Sequence, residues 1–372
     1  MFIKKLSLSN FRNYHRLEID FSNHINVVIG KNAQGKTSLI EAIFALSTTK
    51  SHRTSKDLQM VRMGEEFGKI DGIVESDEIF DLTLVLSKKG KRAKYNGIDF
   101  RLLSEYIGKL KVVFFAPEDL LMIKGSPTVR RRFLNMAIGQ TDGLYLHHLS
   151  QYNQILKQRN ELLKTFVEKV ENQLMLEVLT QQLIPHLIYI HEKRIWFLSA
   201  LERHGSRVHQ HVTESGELLG LKYVSSLKVD EMIEEEVFRR YEANYGVDKR
   251  MRTTGIGLHR DDFLVEVDGM NASCYASQGQ QRTAVLSMKF AEIDLVHEVS
   301  GIYPLLLLDD VLSELDSSRQ SKLLSVTNDQ VQTFITTTSI DGIDDEIVKM
   351  ADVFEVKQAE IRKVDFDSES MS

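Results

Sequence analysis

Gly30 and Gly35 are separated by four residues, and Lys36 and Thr37 follow the second glycine. The run Val27-Val28-Ile29-Gly30-Lys31-Asn32-Ala33-Gln34-Gly35-Lys36-Thr37 therefore carries the P-loop pattern G-x-x-x-x-G-K-[ST]. A polyphosphate must be wrapped by backbone N–H groups, so Cβ atoms must be absent where the loop closes in. The helix that follows points its positive end and its free N–H groups at the anion. On this reading Lys36 reaches the β- and γ-phosphates of ATP, and the Thr37 hydroxyl holds Mg2+. Lys31, Asn32, Ala33 and Gln34 complete the cradle.

A second group stands far along the chain. Leu305 to Leu308 are four consecutive apolar residues followed by Asp309 and Asp310. Such a run is a strand buried in a parallel sheet, and its first carboxylate emerges at the edge where ligands bind. Asp309 is the expected Mg2+ ligand. Asp310 is placed to polarise the attacking water, which pairs it with Lys36 as a catalytic residue.

Between the two lies Ser277-Gln278-Gly279-Gln280-Gln281, at the start of a long amphipathic pattern that runs to about His297. Ser277 is a good helix N-cap, and Gly279 allows close backbone approach. A plain N-cap explains the motif when it is read alone. Its order between P-loop and acidic strand makes it resemble the signature motif of ABC ATPases. There the motif of one subunit closes on the γ-phosphate bound by the other, which is anion capture at a helix N-terminus in trans. Ser277, Gly279 and Gln280 are then nucleotide contacts, and Ser313-Glu314-Leu315-Asp316 resembles the D-loop of the same superfamily.

These residues need a particular scaffold. Leu6 and Leu8, then Leu17, Ile19 and Phe21, then Ile25 to Ile29 alternate or run as strands do. Leu39, Ile40, Ile43 and Phe44 follow the P-loop at helical spacing. Phe80, Leu82, Leu84 and Leu86 alternate again, and Asn96-Gly97 is a type I′ turn signal. Val112 to Phe115 is a short strand ended by Pro117. From about Leu120 to Arg203 the pattern is helical. One stripe runs from Tyr145 to Gln173 at 4-3 spacing, and a second runs from Leu176 to Phe197 with Pro185 inside it. This predicts an antiparallel helical hairpin. A helix of about 26 residues is only about 40 Å long, too short for a reaching arm. The stripes read as the core of a helical subdomain ahead of a partner-binding pair. Leu218 to Leu227, Phe263 to Val267 and Asn271 to Tyr275 read as strands, the last two as a hairpin, with a charged helix over about Asp230 to Glu242.

Positions 36 and 309 are further apart than a simple P-loop domain requires, so a lobe is inserted between them. The expected fold is α/β: an ABC-ATPase-like P-loop lobe with a mixed sheet, plus an inserted, mostly helical lobe. The expected boundaries are 1–118 and 253–364 for the ATPase lobe, 119–252 for the insertion, and 365–372 for an acidic, disordered tail.

Composition bounds the rest. The 372 residues suffice for two domains or one with a large insertion. One cysteine, Cys274, excludes a disulfide framework and a cysteine-based zinc site, and suits a reducing cytosol. Neither a secretory leader nor a membrane span is expected, so the predicted location is cytoplasmic. A net charge of -6 argues mildly against a protein coated in nucleic acid but leaves room for a local basic surface. The basic clusters that could meet a polyanion such as nucleic acid are Arg130, Arg131 and Arg132, the hairpin Lys88 to Lys94 with Lys89 and Arg92, and the loop with Lys50, His52 and Arg53. Clustered cations suffice for phosphate binding. Each cluster reads equally well as solvated basic surface, and Arg53 and Arg260 could equally serve the nucleotide.

With these motifs in hand, the chain resembles the RecF family of bacterial recombination mediators, which are related to the structural-maintenance-of-chromosomes ATPases. The resemblance spans essentially the whole chain. It rests on Leu8 to Tyr14, the P-loop, Ser51-His52-Arg53, Phe115 to Leu120, Arg130 to Asn135, His259-Arg260-Asp261-Asp262, Ser277 to Arg282, and Leu307 to Asp316. It implies an ATP-dependent DNA-binding protein of gap repair that dimerises on ATP and binds DNA at gaps or single-strand–duplex junctions. It further implies work with RecR and RecO, help in loading RecA onto single strands, and a link to replication and the SOS response.

Departures from ABC transporters argue against the competing reading as a transporter ATPase subunit. The signature has Gln278-Gly279 where transporters have Gly-Gly, Asp310 replaces the catalytic Glu, and a Thr within Thr336-Thr337-Thr338 replaces the switch His. No clear Gln marks the Q-loop, and Glu118 is the candidate there. Asp310 reaches less far than Glu, so slow hydrolysis, a switch and not a motor, is expected.

Overall fold

The computed structural model describes the chain except residues 23, 214–215, 230, 313–319, 321–329, 341–342 and 365–372. The D-loop residues Ser313 to Asp316 and the acidic tail therefore lie outside the described residues.

The chain divides into two compact units. The first comprises Met1–Leu120, His204–Glu217 and Arg282–Ser372, and the second Leu121–Arg203 with Leu218–Gln281. The strands, in chain order, are β1 (Phe2–Phe11), β2 (Tyr14–Asp20), β3 (Ile25–Ile29), β4 (Phe67–Glu75), β5 (Ile79–Ser87), β6 (Gly90–Tyr95), β7 (Ile98–Asp99) and β8 (Val112–Phe115). The second unit then contributes β9 (Leu219–Val224), β10 (Asp262–Val267) and β11 (Met270–Asn271). The first unit closes with β12 (Leu305–Asp309), β13 (Thr333–Thr337), β14 (Ala351–Lys357) and β15 (Glu360–Val364).

In the first unit, β2-β1-β4-β5-β6-β7 form an antiparallel sheet. Its strands alternate, as Phe80, Leu82, Leu84 and Leu86 do in burying one face of β5. The type I′ signal is realised, since Asn96 and Gly97 both adopt positive φ. The second sheet is ordered β15-β14-β3-β13-β12-β8. It is parallel from β14 to β8, with β15 added antiparallel. Val27, Val28 and Leu305 to Leu308 are fully buried, as central parallel strands require.

The P-loop helix Lys36–Thr48 lies between the sheets and is buried on nearly every side. Gly72 of β4 leaves room for it, because a Cβ there would come within 2.5 Å of the Leu46 side chain. Such burial explains why a 13-residue helix needs no polar face.

The second unit combines helices with the small antiparallel sheet β11-β10-β9. Its boundaries differ from those expected: it extends to Gln281 beyond residue 252, and residues 204–217 belong to the first unit. The reason is that β9 and β10, distant in sequence, pair with each other along their whole length. The helical hairpin also differs. Its first helix ends at Lys164, and the second runs unbroken from Val170 to Thr213, 44 residues or about 66 Å. Val170, placed on the first stripe by spacing, is 81% exposed on the second helix. Periodicity cannot register a five-residue turn whose own residues continue the 4-3 count. Pro185 lies inside the long helix without ending it. Of the expected strand Asn271 to Tyr275 only Asn271 pairs, together with Met270 before it, and Ala272–Tyr275 is a helical turn capped by the Asn271 side chain. No helix among the described residues is long and apolar enough to cross a membrane.

Candidate nucleotide site

Strand β3 ends at Ile29, and the chain turns through residues 30–35 into the helix that begins at Lys36. Two glycines permit this turn. A Cβ on Gly30 would sit 2.5 Å from the Val356 carbonyl oxygen, and one on Gly35 would sit 2.8 Å from the Tyr14 hydroxyl. Gly35 also has φ of 127°, which side chains rarely adopt. Ala33 takes φ of 65° without that freedom, one of the strained positions this loop retains.

The loop is pinned from two sides. Asn13 Nδ2 donates to the Gln34 carbonyl at 3.3 Å, and Tyr14 Oη donates to the Gly35 carbonyl at 3.1 Å. The β14–β15 turn holds the other side: Gln358 N donates to Gln34 Oε1 at 2.6 Å and Ala359 N to the Gln34 carbonyl at 3.0 Å. Gln34 thus directs its side chain to that turn.

Lys36 is buried, and its Nζ donates to the carbonyls of Gly30 at 2.6 Å and Lys31 at 3.1 Å. Burial pulls its pKa down, while Asp310 and Asp309 pull in the opposite direction. Asp309, at the end of β12, is 6% exposed. Its Oδ1 accepts from Thr37 Oγ1 at 3.1 Å and from Thr336 Oγ1 at 2.6 Å. Burial pushes its carboxyl pKa up, the two hydroxyls oppose this, and the Glu118 and Asp310 carboxylates reinforce it. The backbone N–H of Asp310 is taken by Thr336, through its carbonyl at 3.2 Å and its hydroxyl at 3.0 Å. Asp310 itself adopts φ of 54°.

A pocket of about 630 Å3 collects Asn32, Ala33, Gly35, Lys36 and Thr37 with Asp309 and Asp310. It also collects Arg12, Asn13, Arg53, Gln59, Val61 and Met63. Arg12 was not foreseen as a site residue. Its one trace in the sequence is its place in the stretch Leu8 to Tyr14 that carries the resemblance; in the structure it follows β1 with a left-handed φ of 52°. The donor set fits a magnesium triphosphate. Two ligands of octahedral Mg2+, each about 2.1 Å from the ion, stand about 3.0 Å apart. Thr37 Oγ1 and Asp309 Oδ1 stand 3.1 Å apart.

The signature residues lie in the second unit, at the start of the helix Gln278–Ser300. Gln280 N donates to Ser277 Oγ at 3.2 Å, and Ser277 N donates to Gln280 Oε1 at 2.8 Å. This reciprocal pair is a capping box. A Cβ on Gly279 would meet nothing nearer than the Ser277 hydroxyl at 4.0 Å, so the glycine keeps the helix tip open.

The basic candidates separate. Arg130 is buried and forms a two-pronged pair with Asp262 at 2.7 and 2.8 Å. Arg131 Nη1 donates to the Asp261 carbonyl at 2.8 Å. Both arginines thus fasten the helix Pro127–Gly139 to the start of β10. Arg132 is exposed. On the hairpin, Arg92 pairs with Asp99 at 2.7 Å and Lys91 with Asp57 at 3.0 Å, while Lys88 and Lys89 are exposed. Arg53 lines the pocket, and Arg260 lies in the second unit with its N–H on the Gly257 carbonyl.

Residues 2–362 match the family "RecF/RecN/SMC N terminal domain". The chain is 46% identical over 373 residues to the DNA replication and repair protein RecF of Shouchella clausii, covering 98% of this chain and all of that one. The chain belongs to the RecF family. The RecF of Bacillus subtilis is also 46% identical, over 98% of this chain and all of its own. Among solved structures, the recombination mediator protein RecF with ATP in the RecFOR pathway superposes with a TM-score of 0.90 at 32% identity, covering 98% of each chain. The Smc head domain of Pyrococcus furiosus, bound to part of ScpA, has a TM-score of 0.55 at 16% identity over 98% of this chain and 96% of its own, a likeness of fold alone. The α/β fold with its P-loop lobe is that of RecF and Smc heads.

Proposed function

We propose that this RecF-family chain is an ATP-dependent DNA-binding protein of recombinational gap repair and replication, acting in the cytoplasm. The observation that carries the reading is the junction of Thr37 with Asp309, 272 residues apart in sequence and 3.1 Å apart in space, beside the buried Lys36. Gly30 and Gly35 open the cradle for the phosphates, Lys36 neutralises them, and Thr37 and Asp309 hold Mg2+. When bound, Mg2+ neutralises phosphate charge. Asp310 orients the attacking water. Its short side chain makes hydrolysis slow.

The tip of the Ser277 helix faces an anion supplied by a second copy, with Ser277, Gly279 and Gln280 as its contacts in place of their capping bonds. ATP then closes a homodimer on single-stranded or gapped DNA. Relatives named for replication, repair and the RecFOR pathway support RecR and RecO as partners. Help in loading RecA and a role in SOS induction complete the reading, on the family resemblance alone. Of the arginine run and the hairpin cluster, Arg132 in the second unit and Lys88, Lys89 and Arg92 in the first are the exposed residues that would meet phosphates.

The test is DNA binding with and without ATP for the wild type and Lys36→Met, with dimerisation followed in parallel. Wild type should gain dimer and DNA affinity with ATP, and Lys36→Met should not. Identical behaviour of the two proteins removes the ATP clamp. Ser277→Arg should keep ATP and lose the dimer.

A further inference from the structure

The pocket has a cationic wall that the P-loop does not supply. Arg12 and Arg53 both line it, and both converge on Glu41, one turn beyond Thr37 on the P-loop helix and 0% exposed. Glu41 Oε2 accepts from Arg12 Nε at 2.8 Å, and Oε1 accepts from Arg12 Nη2 at 2.5 Å. Arg12 Nη1 donates to the Gln59 carbonyl at 2.7 Å. These bonds engage three of the five guanidinium N–H groups and leave two. Glu41 Oε1 also accepts from the Ser51 hydroxyl. The Ser51 Oγ in turn accepts from the backbone N–H of Arg53 at 2.9 Å and of Thr54 at 3.1 Å. Arg53 Nη1 itself stands 4.0 Å from Glu41 Oε2.

One buried carboxylate therefore fixes the side chain of Arg12 and, through Ser51, the backbone that carries Arg53. Arg12 needs the support, since its left-handed backbone projects it from a tight turn. We propose that Glu41 is a positioning residue for the nucleotide: it touches no ligand, and it holds Arg12 and the Arg53 loop so that their remaining N–H groups meet the phosphates. This inference rests on the pocket being the ATP site.

Charge and positioning predict opposite signs, which makes the idea testable. Glu41→Gln removes a negative charge close to the pocket, and by electrostatics alone the variant would bind a polyanion more tightly. Loss of the two-pronged clamp sets Arg12 free and weakens binding. ATP affinity is measured with Mg2+ for wild type, Glu41→Gln and Ser51→Ala, and adenosine is measured on each by competition. The expected result is a loss of about tenfold in ATP affinity for Glu41→Gln and about threefold for Ser51→Ala, with adenosine within about twofold of wild type. Unchanged or tighter ATP binding by Glu41→Gln overturns the proposal, as does an equal loss for ATP and adenosine. If Glu41→Gln does not fold, Ser51→Ala decides: an unchanged ratio of ATP to adenosine affinity overturns it. A wild type that binds no ATP instead refutes the site itself.

Discussion

Thr37 Oγ1 donates to Asp309 Oδ1 across 3.1 Å, joining the first turn of the P-loop helix to the end of a strand from the far end of the chain. Thr336, on the neighbouring strand, donates to the same oxygen at 2.6 Å. Asp309 is thus aimed by two hydroxyls before any ligand arrives. A preset ligand geometry lowers the ordering cost of binding.

Asp309→Asn should separate metal from nucleotide. ATP affinity of the wild type should fall when Mg2+ is chelated, and that of Asp309→Asn should be low and insensitive to chelation. Titration calorimetry with and without Mg2+ reads the difference. A variant that still responds to Mg2+ like the wild type would remove Asp309 from the metal site.

The same substitution should stabilise the protein free of ligand. Burial raises the Asp309 carboxyl pKa, so the native state holds that proton more tightly than the unfolded chain does. Its contribution favours the fold at acid pH and is lost as pH rises through the raised native value. Asp309→Asn should therefore raise the apo melting midpoint at neutral pH by about 2 °C or more, and the gain should vanish at acid pH. A lower midpoint at neutral pH would contradict it.

Lys36→Met should lose an ionic contact to phosphate, about 1.5–3 kcal/mol, or about ten- to 150-fold in ATP affinity. Its fold should persist, because Lys36 Nζ bonds only to loop carbonyls. Circular dichroism together with nucleotide titration checks both halves of the statement.

Arg130→Gln should act on stability. The substitution strands Asp262 in a partly buried pair, at a cost of about 3 kcal/mol. Lys89→Gln and Arg132→Gln should leave the unfolding midpoint nearly unchanged and reduce the salt dependence of DNA binding. Chemical denaturation and DNA titrations at several salt concentrations distinguish the two classes. Should Arg130→Gln unfold like the wild type, its pair with Asp262 carries no structural load.

What the sequence determined by itself is local. The P-loop, the apolar run Leu305 to Leu308 and the cap at Ser277 are each written in adjacent residues, because turn conformation, strand burial and helix capping depend on near neighbours. The α/β class followed from the strand and helix patterns around the P-loop, and the inserted second unit from the distance between motifs. What only the tertiary structure decided is which distant groups meet. The pairing of Arg130 with Asp262, the convergence of Arg12 and Arg53 on Glu41, and the hold of Gln358 and Ala359 on Gln34 have no periodic trace in the chain. The long helix Val170–Thr213 went unread for a related reason. A hydrophobic repeat reports which face is buried, but not where one helix stops and the next begins. Charge adds the last gap: a run of arginines looks the same in sequence whether it faces water or a carboxylate, and only packing brings Asp262 to Arg130.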